Sequence, residues 1–105
     1  MLEIKTNIHT SQIFLDLYTS VGWEPPCEAQ VVAALRNSLA TFVAFDDGKP
    51  VGMARLMGDG GMSFFIKDFA VLPSHQGKGI GTGLLCALER YIRDTIDPSW
   101  AVSPE

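Results

Sequence analysis

Apolar residues along this chain repeat with two different periods, and the changes of period mark out its elements. Leu2–Thr6 alternates apolar and polar side chains, the two-residue period of a half-buried strand. From Thr10, a natural N-cap, Ile13, Phe14, Leu17, Tyr18 and Val21 recur at helical spacing, and Gly22 closes the segment. Trp23-Glu24-Pro25-Pro26 forces an extended connection, because proline disfavours helical backbone in the residue before it. Val31, Val32, Leu35 and Leu39 then make one apolar face of a second helix, with Gln30, Arg36 and Asn37 off it.

Beyond this point the period becomes extended. Thr41–Phe45 and Val51–Met57 flank Asp46-Asp47-Gly48-Lys49-Pro50, a turn whose Asp-Gly supplies positive φ. Gly58-Asp59-Gly60-Gly61 is a second turn leading into Met62–Leu72, the last strand of a three-stranded antiparallel meander. Phe64, Phe65 and Ile66 read as core of a sheet buried on both faces. Pro73 ends the strand, a glycine-rich loop follows, and a long helix runs from about Gly79 to Thr95. Ile80, Leu84, Leu88 and Ile92 form its stripe, Leu85 and Tyr91 widen it, Cys86 reads as packing, and Glu89–Arg93 is an exposed ion pair. The order is strand, two helices, three strands, glycine loop, helix, an α+β pattern.

Composition narrows the class without naming a chemistry. At 105 residues the chain is a single domain, residues 1–105, and 47% hydrophobic against 19% charged residues makes it core-forming rather than disordered. No apolar run approaches the ~18 residues of a membrane span, and Glu3 within Met1–Ile8 is unlike a signal peptide. Neither membrane nor nucleic acid is an expected partner: eight Lys/Arg against twelve Asp/Glu leave a net charge of −4, which weakly favours cationic small molecules. Cys27 and Cys86 lack metal-ligand spacing and read as reduced thiols of a cytoplasmic protein, with no metal expected.

The chemistry is concentrated at Phe69-Ala70-Val71-Leu72-Pro73-Ser74-His75-Gln76-Gly77-Lys78-Gly79-Ile80-Gly81-Thr82-Gly83. Glycines at alternate positions deny Cβ atoms to the loop, so its backbone can approach a ligand closely. The helix that starts there presents unpaired N–H groups and a partial positive charge, an anion site with phosphate as its usual occupant. Lys78 adds a positive charge at the rim. The dinucleotide fingerprint fails in both registers, since Thr82 and Leu84 stand where the third glycine belongs. The P-loop pattern fails as well, with Gly79 following Gly77-Lys78 and Leu72 in place of the first glycine.

What remains resembles the GNAT acetyltransferase superfamily. Gln76, Gly79 and Gly81 fill its acyl-CoA signature, Val71-Leu72-Pro73 its lead-in, and Leu84-Leu85 its following pair. The resemblance covers Leu2 to about Ile96 and implies a GNAT-like fold and an N-acetyltransferase that moves an acetyl group from acetyl-CoA to a primary amine. It implies that backbone amides from Gln76 through Gly77, Lys78, Gly79, Ile80 and Gly81 hold the CoA pyrophosphate. The strand edge Phe69, Ala70 and Val71 would pair with the pantetheine arm. The Phe69 amide would polarise the thioester carbonyl.

The resemblance also raises the question of proton transfer. An amine of pKa ~10.4 costs roughly 4–5 kcal/mol to deprotonate at pH 7 without help. Phe65 stands where some members carry a glutamate base. Asp68 is the nearest acid, yet simple alternation puts it on the face opposite Phe65 and Phe69, so its use as a base needs a bulge; otherwise it is a structural hydrogen bonder. The family's usual tyrosine acid lies beyond the end of this chain, and Tyr91 reads as core. Trp23 and Glu24, in the loop between the first helices, either border the pocket of an amine acceptor, small molecule or protein, or clasp the helices together. His75 reads as a solvated loop residue, and His9 carries no signal. The family domain normally adds a further strand, a helix and a hairpin, and Ser99-Trp100-Ala101-Val102 would begin that strand, so the domain is expected to be C-terminally short. An unpaired strand edge of this kind favours a homodimer, with strand exchange one route. The competing expectation is a non-catalytic CoA-binding or interaction module, or an inactive fragment of a longer enzyme.

Overall fold

A computed structural model describes residues 1–96 of the chain. Four antiparallel strands form one sheet in the order β1 (Leu2–Thr6), β2 (Ala40–Asp46), β3 (Lys49–Gly58) and β4 (Phe64–Val71). The expected meander thus gains the first strand on its far side, where Ile4 pairs with Ala44 and Thr6 with Phe42. β4 is shorter at both ends than the expected Met62–Leu72. Helices α1 (Ser11–Ser20) and α2 (Glu28–Arg36) precede β2, and α3 (Ile80–Tyr91) follows β4.

The caps act as the sequence implies. The Thr10 hydroxyl accepts the Ile13 N–H at 3.2 Å, and Gly22 ends the first helix at φ +86°. Between β2 and β3, Asp47 and Gly48 both take positive φ, the backbone of a tight hairpin. At the second turn the Asp59 carboxylate accepts N–H bonds from Gly61, Met62 and Ser63 at 2.8, 2.9 and 3.0 Å, which hold its pKa down at about 2.

Helices cover both faces of the sheet, so β2 and β3 are buried almost throughout while β1 and β4 form the margins. On one face Leu84 and Leu88 of α3, with Ile80 and Ile92, pack against Phe42, Ala44, Ala54 and Leu56. Gly52 permits this approach, since a Cβ there would lie 3.1 Å from the Ile80 side chain. On the other face Phe14, Leu17 and Val31 enclose Met53 and Ala70.

Several sequence expectations give way to this layering. Leu39 lies past the end of α2, which stops at Arg36, and Val32 faces outward. Leu85 is 45% exposed and Cys86 is also exposed, so the buried stripe of α3 is narrower than its apolar residues suggest. Phe65 at 60% and Ile66 at 46% exposure are not buried core, because β4 is a margin of the described sheet rather than an interior strand. Regular α-helix ends at Tyr91, and the chain loosens into a wider π-type turn over Ile92–Ile96. Tyr91 itself packs edge-on against Phe42, as a core residue should, and Glu89–Arg93 pairs at 3.4 Å. The expected strand at Ser99–Val102 lies outside the described residues.

Leu84 is fully buried between helix and sheet. Leu84→Ala should lower unfolding free energy by about 2–5 kcal/mol, through lost transfer energy and the cavity left behind. Urea denaturation measures this, and a loss near zero would show that α3 is not the main cover of this face.

Candidate active site at the β4–α3 junction

The site begins with a defect in the sheet. β4 pairs with β3 residue for residue up to Lys67 opposite Arg55, and again from Ala70 opposite Met53. Between these pairs Asp68 and Phe69 face the single residue Ala54, which is a β-bulge. Asp68 carries the kink at φ +51°, a left-handed conformation that aspartate tolerates better than most residues. Alternation is broken here. Phe65 pairs with Met57, on the face of Arg55, and Asp68 turns to that same face, whereas Phe69 packs with the α3 core. The expectation that Phe65 and Phe69 share a face is therefore overturned, and the bulge turns Asp68 inward.

The partner that receives Asp68 is Arg55, a residue the sequence reading did not single out. Its Nε donates to the Asp68 carboxylate at 2.7 Å, with both side chains largely buried. Its Nη1 donates to the Ala34 carbonyl at 3.1 Å and to the Ser38 hydroxyl at 3.2 Å, reaching the last turn of α2. A lone charge inside the otherwise apolar Val51–Met57 run was the available signal, since a buried guanidinium needs a carboxylate. The Asp68 carboxylate is thus engaged by Arg55 in an ion pair.

Pro73–His75 forms a single 3-10 turn that leads into the glycine loop. His75 is not solvated as expected: its Nε2 lies 3.2 Å from the Asp46 carboxylate and its Nδ1 2.8 Å from the Ser74 hydroxyl. This chain of contacts ties the loop to the β2–β3 hairpin. The Gln76 side-chain Nε2 donates to the Val71 carbonyl at 3.1 Å, fastening the loop to the end of β4. Gly77 and Gly79 adopt φ +79° and +83°, and nothing lies within 4 Å of a Cβ built at either, so their backbone faces open space. A Cβ built at Gly81 would lie 3.4 Å from the Phe69 ring. The first bond of α3 runs from Gly83 N–H to the Gly79 carbonyl, and the Gln76 backbone N–H donates to the Pro73 carbonyl at 3.4 Å, so the N–H groups left for a ligand lie between Gln76 and Gly83. Val71, His75, Gln76, Gly77, Gly79, Ile80, Gly81 and Thr82 line a cleft of about 270 Å³. Lys78 is exposed beside it. An anion fits this cleft by donor set, shape and helix polarity.

Trp23 and Glu24 lie apart from the loop in sequence and both are exposed. Trp23 packs edge-on against Tyr18 with ring centroids 5.0 Å apart, and Tyr18 stacks on Phe14 at 5.2 Å. These contacts seat Trp23 on α1, with 40% of its surface exposed. Among the described residues no group of His, Cys, Asp or Glu is arranged to hold a metal ion, and no helix is long and apolar enough to cross a membrane.

A model of the acetyltransferase (GNAT) family matches residues 9–102. The chain belongs to the GNAT family. Among solved structures, this GNAT chain is similar to a protein of unknown function from meticillin-resistant Staphylococcus aureus described as a probable acetyltransferase. That match has 32% identity and a TM-score of 0.81, over 89% of this chain and 70% of the other. It is also similar to a GNAT-family acetyltransferase from Streptococcus pneumoniae, at 39% identity and TM-score 0.75 over 84% of this chain and 65% of that one. The chain thus spans about two thirds of the length of these relatives. An aminoglycoside acetyltransferase from an uncultured soil sample, at 22% identity and TM-score 0.71, shares the fold. No curated protein matches.

His9 is the other residue that sequence gave no reason to notice. It packs beside Phe14, and neither ring nitrogen has a hydrogen-bond partner among the described residues. Burial pushes its pKa down to about 4, and the positive charge of Arg55 acts in the same direction. A histidine depressed in the folded state contributes stability that is complete above the unfolded value of 6.5 and is lost as pH falls toward 4. The expected loss over that window is about 2–3 kcal/mol. Urea unfolding at pH 7, 5.5 and 4 should show it, with His9→Phe reducing the pH dependence; parallel curves for the two proteins would disprove the assignment.

Proposed function

We propose that the protein is an N-acetyltransferase that takes acetyl-CoA as co-substrate and a primary amine as acceptor, the amine attacking directly in a ternary complex. One observation carries this reading: the cleft joins Val71, at the end of the bulged strand, to the glycine loop and the first turn of α3. A phosphate site and an available strand edge are thereby continuous, as an extended ligand with a pyrophosphate at one end requires.

In this reading the backbone amides from Gly77 to Gly81 hold the pyrophosphate at the positive end of α3, Gln76 braces the loop from its start, and Lys78 adds charge at the rim. Phe69, Ala70 and Val71 offer backbone groups to the pantetheine arm. The thioester supplies the acyl group and its leaving thiol. The Phe69 N–H donates to the carbonyl oxygen and stabilises the charge that grows there as the amine attacks. Trp23 and Glu24 offer an aromatic face and a carboxylate suited to a cationic acceptor. The solved relatives named as acetyltransferases support acyl transfer as the reaction class.

A second reading, a CoA-binding module without turnover, is favoured by Phe65. This side chain is 60% exposed, and it stands where some members of the family carry their base.

Calorimetric titration with acetyl-CoA should give saturable binding, weakened at least about tenfold by Gly79→Asp with Gly81→Asp. Those changes place side chains at a positive-φ position and against the Phe69 ring and add negative charge beside the anion site. Thermal unfolding of the variant checks that it remains folded. Absence of binding to the folded native chain would remove the proposal. Thiol release from acetyl-CoA with a panel of primary amines separates the two readings, since turnover eliminates the binding module.

A further inference from the structure

Arg55 is buried and lies outside the cleft lining, yet it is bonded to the element that shapes the cleft. It holds Asp68, the residue with left-handed backbone at the bulge, and Asp68 directly precedes Phe69. The same guanidinium grips the Ala34 carbonyl and Ser38 at the end of α2. A strained non-glycine residue persists only where its surroundings over-determine it, and bulges beside active sites serve to re-aim the groups that follow. We propose that Arg55 is a positioning residue for acyl transfer: through its ion pair with Asp68 it fixes the kink that sets where the Phe69 amide meets the thioester carbonyl. This rests on the proposed acetyltransferase function and adds a residue to it.

The geometry gives this role a direction. Asp68 and Phe69 share one partner residue on β3, so the backbone between Lys67 and Ala70 is not fixed by one-to-one pairing with that strand. The side chain of Phe69 anchors on the α3 side, packed against the core beneath α3 and close enough to Gly81 that a Cβ there would lie 3.4 Å from the ring. That of Asp68 anchors on the opposite side, against Arg55 at 2.7 Å. The peptide between them carries the Phe69 N–H and is held from both faces of the sheet. Releasing one anchor leaves the pyrophosphate loop intact, because Gln76 fastens that loop to Val71 independently.

The test compares the native chain with Asp68→Gly, Asp68→Asn and Arg55→Lys, titrated with CoA and with acetyl-CoA and followed by amide NMR. Glycine accepts the left-handed backbone without the ion pair, asparagine keeps a neutral hydrogen bond, and lysine keeps a charge with less reach. In the native chain the Phe69 amide should shift more with acetyl-CoA than with CoA, reporting the acetyl carbonyl. In Asp68→Gly that difference should fall by at least about half, while CoA affinity changes by less than about threefold, since only the acetyl contact is displaced. Asp68→Asn and Arg55→Lys should recover part of it. A purely structural ion pair would lower thermal stability and leave the acetyl-dependent shift unchanged, and that result overturns the proposal while leaving the acetyltransferase reading standing. No binding of CoA to the folded native chain overturns both. If Asp68→Gly does not fold, the two conservative variants decide the matter alone, and an undiminished shift in both overturns the proposal.

Discussion

Burial of the central strands on both faces is the constraint from which the other features follow. Val51 through Leu56 are all buried, so helices must lie above and below, and the chain must cross from one side of the sheet to the other to supply them. α1 and α2 close one face before β2 begins, and α3 closes the second after β4 ends. The junction at the end of β4 therefore has to leave the sheet sharply. Among the described residues Arg55 is the one charged residue in the buried set; it has to find a counter-charge there, and the bulge in the neighbouring strand turns Asp68 toward it.

Much of this was legible in the residues themselves. Thr10, Gly22 and the Asp47-Gly48 pair mark helix and hairpin boundaries because their local backbone energetics act without help from the rest of the fold. The glycine loop was legible for the same reason, since alternate glycines before a helix restrict what the backbone can be built to do. The misreadings share a cause as well. Phe65, Ile66, Leu85 and Cys86 carry apolar or small side chains whose burial is decided by what lies across from them, not by their own period. Alternation predicted the wrong face relations along β4 because a single inserted residue reverses every face assignment beyond it. His9 was invisible because only the approach of distant elements strips a histidine of solvent.

The site divides into two kinds of contact. The loop offers backbone N–H groups and open space, made available by residues with no side chain. The strand edge offers backbone groups whose position is set by side chains on either face of the sheet. In the proposed function, affinity for the anion rests on the first and alignment of the reacting carbonyl on the second. Separating these functions allows one to be altered by substitution with little cost to the other.

The contact of the Phe69 ring with Gly81 restricts how such a domain can be recombined. A side chain longer than alanine's at the glycine would press on the ring, and a smaller residue in place of the phenylalanine would remove its packing beside the first helical turn. Loop and strand must therefore be inherited together. The smallest segment that could be transplanted into another sheet without losing its geometry runs from the bulge through the first turn of the helix.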